Sequence, residues 1–66
     1  MKCEIETSFG DIIRLDVKSI RFIDQSDIMG MMLKDGRKLL VDTSKKSFRF
    51  KDDERGTYYN EFWIVD

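Results

Sequence analysis

The first nine residues alternate between apolar and polar side chains. Cys3, Ile5, Thr7 and Phe9 occupy one parity, and charged residues fill most of the other. An alternation with a period of two predicts a strand that buries one face. The sequence therefore predicts a first strand over residues 2–9 with this set pointing inward.

Residues 12–23 also alternate, but the pattern changes parity after Ser19. Val17 belongs to the inward set before this point, and Ile20 belongs to it afterwards. A change of parity inside an extended run indicates a bulge or bend, which lets one strand of a small barrel serve two sheets. We expect one long bent strand here, or two strands with a tight corner at Lys18-Ser19.

The strongest hairpin signal is Asp35-Gly36, which separates two apolar runs. Asp-Gly suits a two-residue type I′ turn because both residues tolerate a positive φ. This turn would pair Met32 with Leu39 and would leave apolar side chains on both faces of the hairpin. A solvated hairpin needs only one apolar face. The second face is therefore expected to meet the core of a curled barrel, a second copy or a ligand.

The last apolar run, residues 57–65, is aromatic and has two apolar faces as well. Simple alternation places Tyr58 with Phe62 on one face and Tyr59 with Trp63 on the other. Tyr and Trp are enriched in protein interfaces. The run is expected to be either a core strand or part of an interface.

Turn signals separate all of these short runs, and none sustains the 3.6-residue period of a helix. Polar turns are predicted at residues 24–27, 42–44 and 52–56. The 66-residue chain predicts a single small domain over residues 1–66. We expect an all-β fold, a small antiparallel barrel or rolled sheet of five or six strands. The expected fold is similar to SH3 and Sm barrels in architecture only.

The composition offers little catalytic chemistry. The chain has no histidine and one cysteine, so Ser-His-Asp triads, Cys-His pairs and zinc sites of the usual kinds are excluded. Neither acidic turn, at residues 24–27 or 52–54, matches a calcium loop, and no glycine-rich phosphate motif is present. We therefore expect a protein that is not an enzyme, with no metal and no cofactor.

Charge and hydropathy bear on the binding partners and the cellular compartment of the chain. The net charge is −1 with mixed signs, which does not point to nucleic acid or to an anionic membrane. No apolar run has membrane-spanning length, and no signal-peptide pattern opens the chain. Together with the lone cysteine, these features favour a reducing cytoplasm.

The two-sided apolar strands lead to the first functional hypothesis. The chain is expected to be a protein-binding module or a small regulatory inhibitor, encoded by a phage or mobile element, that forms a homodimer. The predicted interface residues are Met29, Met31, Tyr59 and Trp63. Core packing of the same side chains is the alternative reading.

The second functional hypothesis is nucleic-acid binding. Lys45, Lys46, Arg49 and Lys51 form a basic run interleaved with phenylalanines, a pattern that single-strand binders use for phosphates and stacked bases. Two observations count against it. Strand alternation should put rings and charges on opposite faces, and acidic residues follow at once in 52–54.

Overall fold

The computed structural model describes residues 1–23 and 27–66, which form a closed barrel of six antiparallel strands. Each strand pairs with the next in the chain, and the last returns to pair with the first. The strands are β1 (Lys2–Thr7), β2 (Ile12–Phe22), β3 (Ile28–Leu33), β4 (Lys38–Asp42), β5 (Ser47–Phe50) and β6 (Thr57–Val65). The predicted small all-β barrel is confirmed. The turn predicted at residues 24–27 lies, except for its last residue, outside the described residues.

The long second strand bends where its parity changes. Val17 pairs with Leu33 and Ser19 with Met32, so Lys18 is an extra residue in β2. The first half of β2 pairs with β1, and the second half pairs with β3. The bend therefore divides the barrel into two sheets. The first sheet contains the start of β2, β1 and the end of β6, and the second contains the end of β2, β3, β4, β5 and the start of β6.

The β3–β4 hairpin has a three-residue loop, so the predicted two-residue register is wrong by one residue. The backbone N–H of Leu33 donates to the carbonyl of Arg37 at 2.8 Å, and that of Gly36 donates to the carbonyl of Leu33 at 3.0 Å. Gly36 has a φ of 93°, whereas Asp35 is not among the residues with positive φ. A type I′ turn needs positive φ at both central residues, so the chain takes a turn closed by a left-handed glycine instead.

This register decides which side chains of the hairpin are inside. Met31 pairs with Leu39, and Met29 pairs with Val41. These four side chains are buried, as is Leu33. The outer face of the hairpin carries Ile28, Gly30, Met32, Lys38, Leu40 and Asp42. One face of the hairpin thus belongs to the core, and the other face, which points outward, is also largely apolar.

A bulge near the start of β6 also changes a predicted face. Glu6 pairs with Glu61 and Thr7 with Tyr59, so Asn60 is the extra residue. Its side-chain amide donates to the carbonyl of Thr7 at 3.2 Å. Tyr59 consequently points inward on the same side as Phe62, which its ring meets edge-on at 5.4 Å. The prediction that it shares a face with Trp63 is wrong.

A buried polar residue lies at the end of β1. Thr7 is buried, and its hydroxyl oxygen accepts hydrogen bonds from the backbone N–H groups of Phe9 and Asp11. The first strand therefore ends at Thr7, and the following turn leaves Phe9 88% exposed. The prediction that Phe9 points inward is wrong, because the alternating sequence pattern continues to residue 9 whereas the strand ends at Thr7. The buried apolar residues are Cys3, Ile5, Val17, Met29, Met31, Leu33, Leu39, Val41, Phe48 and Tyr59.

Replacement of Gly36 by alanine is expected to lower the free energy of unfolding by about 1–2 kcal/mol. The reason is that a side chain at a left-handed φ meets the backbone. Gly36→Asn should lose less, because asparagine tolerates this region better. Urea unfolding of the three proteins measures the difference. Equal stability of all three would show that the loop does not depend on the left-handed residue.

Candidate functional site

Three of the four predicted interface residues lie in the core. Met29, Met31 and Tyr59 are buried, and the two methionines share the inner face of the hairpin with Leu39 and Val41. The three side chains therefore present almost no surface to a partner while the barrel is intact. Trp63 is different, because it lies on the outer face of β6 and is 37% exposed.

The basic run of the second hypothesis is divided between a turn and a strand. Lys45 and Lys46 lie in the exposed turn between β4 and β5, whereas Arg49 and Lys51 extend from the outer face at β5. Phe48 is buried inside the barrel. Rings and charges therefore occupy opposite faces, as strand alternation indicated.

A groove on the outer face of the second sheet brings together side chains from β2, β3 and β4. Arg21 pairs with Gly30, Gly30 with Leu40, and Leu40 with Arg49, which gives one row across four strands. A Cβ added to Gly30 would lie 3.8 Å from the Cγ of Arg21 and 3.9 Å from a methyl group of Leu40. The absence of a side chain at Gly30 thus leaves the space between them open.

The neighbouring row widens this groove. Ser19 pairs with Met32, and Met32 pairs with Lys38. The backbone N–H of Lys51 donates to the carbonyl of Lys38 at 2.9 Å, which brings Lys51 alongside. The groove has a volume of about 690 Å³ and is lined by Ser19, Arg21, Phe22, Ile23, Gly30, Met31, Met32, Lys38, Leu40 and Lys51. Its floor is apolar, and the charged side chains among its described lining residues are all basic.

The cations of the groove have no acidic partners among the described residues. The salt bridges among the described residues join Arg14 to Glu4 and Arg37 to Asp35, and neither includes a residue that lines the groove. Arg49, which lies beside the groove across Leu40, donates to the backbone carbonyls of residues 51 and 53, at 3.2 and 3.0 Å. Within residues 1–23 and 27–66, no ion pair therefore neutralises the positive charge of this face.

The outer face of the first sheet is organised around a carboxylate. The Glu4 side chain accepts a hydrogen bond from the indole N–H of Trp63 at 2.7 Å and from the Nε of Arg14 at 2.6 Å. Hydrogen bonds from Trp63 and then from Arg14 lower the pKa of Glu4. This cross-strand cluster fixes the orientation of Trp63.

The Glu4–Trp63 contact predicts a pH-dependent fluorescence change. Trp63 is the only tryptophan, and protonation of Glu4 removes the negative charge of the group that accepts from its indole N–H, which weakens this hydrogen bond. Because the folded pKa is lowered, the charge-assisted contact persists at neutral pH and weakens as the pH falls through a midpoint below 4.5. Emission of the wild type and of Glu4→Gln, titrated in parallel, measures this midpoint. A transition at or above 4.5, or one retained in Glu4→Gln, would contradict the assignment.

The described residues offer little nucleophilic or metal-binding chemistry. Cys3 is fully buried, and burial, followed by the charge of Glu4, raises the pKa of its thiol to about 11. The thiol is therefore protonated at neutral pH and inaccessible. In residues 1–23 and 27–66, no three His, Cys, Asp or Glu side chains are grouped so as to hold a metal ion. This part of the chain also has no helix that could span a membrane.

The groove includes residues that the sequence hypotheses did not select, namely Arg21, Gly30 and Lys38. The alternation and the hairpin are both visible in the sequence, but the two-residue loop that it predicts places Gly30 and Lys38 on opposite faces of the hairpin. A three-residue loop would have placed Gly30 beside Leu40 and Met32 beside Lys38. Comparisons of the chain with protein-family models, curated proteins and solved structures found no match, so a functional assignment depends on the groove itself.

Proposed function

We propose that the protein is a non-enzymatic binding module that contacts another protein through the groove. The observation that carries this proposal is the apolar floor of Gly30, Met32 and Leu40 with basic side chains around it. Protein interfaces combine an apolar centre with a polar rim, and methionine adapts its shape to different partners. The proposed binding surface still lies on the apolar β3–β4 hairpin. It consists of outward-pointing residues, such as Met32 and Leu40, and not of the inward-pointing residues of the predicted interface.

The charge of the groove indicates the chemistry of the partner. Arg21, Lys38 and Lys51 lie around the floor and form no salt bridge with a described carboxylate. Complementary charge accelerates encounter and selects against basic partners. Phe22, which is 69% exposed, extends the apolar surface at one end. The best-fitting partner is a protein segment that presents an apolar side chain flanked by carboxylates.

Nucleic-acid binding is the second candidate function, favoured by the cations alone. Arg49 adds a fourth basic side chain next to Arg21, Lys38 and Lys51. A single-strand binder also needs aromatic rings on which bases stack. Phe22 is the one exposed ring that lines the groove, and Phe48 points into the core. A protein partner is therefore the better match.

Affinity capture from a nuclease-treated lysate tests the proposal. The immobilised wild type is compared with Gly30→Leu, which fills the groove, and with Ile12→Lys, which changes an exposed side chain on the other sheet. A protein that is retained by the wild type and by Ile12→Lys but lost from Gly30→Leu is the expected result. Retention of the same proteins by the wild type and both variants, or binding abolished by the nuclease, would contradict a protein partner at the groove.

A further inference from the structure

The turn between β1 and β2 holds a phenylalanine in solvent. In this Phe9 turn, residues 8–11, the Phe9 side chain is 88% exposed. The backbone is nevertheless fixed, because the Thr7 hydroxyl accepts hydrogen bonds from the N–H groups of Phe9 and Asp11 at 3.3 and 3.2 Å. The N–H of Gly10, whose φ is 93°, donates to the Thr7 carbonyl at 2.9 Å. An apolar anchor that is ordered before binding loses less conformational entropy on association.

The surroundings of the Phe9 turn are acidic. Residues 6–12 contain Glu6 and Asp11 but no basic residue, and Glu6 pairs with Glu61 of β6. None of these three carboxylates belongs to a salt bridge among the described residues. Carboxylates directly opposite each other in a sheet repel, so Glu6 and Glu61 favour a basic partner.

The basic residues on the neighbouring elements are not paired with these carboxylates. Arg14 of β2 is already bound by Glu4 at 2.6 Å. Lys46 lies on the far side of β6, where its backbone carbonyl accepts from the N–H of Tyr59 at 2.9 Å. Within the described part of the chain, neither cation forms a salt bridge with a carboxylate around the Phe9 turn.

We infer that the groove of one copy binds the Phe9 turn of a second copy, head to tail. The inference rests on the proposed function, which asks of a partner an apolar side chain flanked by carboxylates. The Phe9 turn has these features. In this contact Phe9 lies on the groove floor, where the missing side chain of Gly30 leaves space beside Leu40. The flanking carboxylates then meet Lys38 and Lys51.

The acidic residues nearest the groove do not line it. The carboxylate of Asp42 accepts hydrogen bonds from the hydroxyl and backbone N–H of Ser44 at 2.7 and 3.0 Å, in the turn that follows β4. Asp52 and Asp53 come after Lys51 and are not lining residues. Contact of two grooves, or of two Phe9 turns, brings like charges together, whereas a groove with a Phe9 turn joins opposite charges. The charges therefore favour a head-to-tail contact over a symmetric one.

A head-to-tail contact has a consequence for the groove. None of residues 7–12 lines the groove, so one protomer can use its groove and its Phe9 turn at the same time. A heterologous contact of this kind repeats into chains or closes into rings. Self-association therefore occupies the groove and competes with any other protein that binds there.

Sedimentation equilibrium over a wide concentration range tests the inference with one variant for each side of the contact. Phe9→Ser removes the anchor, and Lys38→Glu/Lys51→Glu reverses charges of the groove. The wild-type mass is expected to rise with concentration beyond twice the 7.9 kDa protomer mass. Each variant alone should associate at least about tenfold more weakly. An equimolar mixture of the two should form a dimer, because it contains one intact groove and one intact Phe9 turn.

Two matched controls separate this contact from general effects on the surface. Val65→Ser removes a different exposed apolar side chain, at the end of β6. Lys34→Glu/Arg55→Glu has the same net charge as the groove variant but changes exposed residues that do not line the groove. Both controls should associate as the wild type does.

A wild-type mass that stays at 7.9 kDa at every concentration would overturn the inference, whether or not the variants fold. Association that Phe9→Ser does not weaken, or a mixture of the two variants that stays monomeric, would overturn it as well. A monomeric wild type that binds a synthetic peptide with apolar residues between glutamates would refute the head-to-tail contact but not the proposed function. Failure to bind this peptide as well would count against both.

Discussion

Replacement of Leu39 by alanine is expected to lower the free energy of unfolding by about 2–5 kcal/mol, much of the stability of a domain this small. Leu39 is fully buried, and it is paired with Met31 on one side and Phe50 on the other. Truncation removes apolar contacts and leaves a cavity that the closed barrel fills only in part. Urea unfolding, followed by circular dichroism, measures the loss.

The neighbouring residue provides the control for this substitution. Leu40 lies on the outer face and is only partly buried, so Leu40→Ala should cost about 1 kcal/mol. The two substitutions remove the same atoms from adjacent positions of one strand. Equal losses, or a greater loss for Leu40→Ala, would contradict the register of the hairpin and hence the placement of the groove.

Reversal of two groove charges, in the double variant Lys38→Glu/Lys51→Glu, is expected to weaken binding of an acidic partner by about 10- to 100-fold. Both lysines line the groove and lack a described acidic partner. The probe is a short synthetic peptide in which leucine and phenylalanine are flanked by glutamates. Fluorescence anisotropy of the labelled peptide measures the affinity.

A second double variant has the same net charge but leaves the groove unchanged. Lys34 and Arg55 are exposed and do not line the groove. Lys34→Glu/Arg55→Glu should therefore retain most of the affinity. Equal weakening in both double variants would mean that net charge, rather than the groove, determines binding.

Local patterns predicted most of the fold because they depend on few residues. The alternation in residues 2–7 and the parity change at Ser19 report directly on which side chains are buried, and both features are present. The register of the β3–β4 hairpin was not predictable in the same way. It depends on the φ of Asp35, because Asp-Gly is compatible with two- and three-residue loops.

The candidate site was less predictable than the fold for the same reason. A shift of one residue changes which side chains share a face, so Leu39 and Val41, rather than Leu40, lie with Met29 and Met31, and this face forms the core. The bulge at Asn60 had the same effect on Tyr59. Arg21 and Lys38 are distant in sequence, and only the pairing of β2, β3 and β4 brings them to one groove.

The most direct test of the groove as a binding surface is a ¹⁵N chemical-shift titration of the protein with the acidic peptide. Amide shifts at Arg21, Gly30, Met32, Lys38 and Leu40 that follow one binding curve are the predicted result. Shifts confined to other surfaces, or a titration with single-stranded DNA that moves these amides at lower concentration than the peptide does, would contradict a protein partner at this groove.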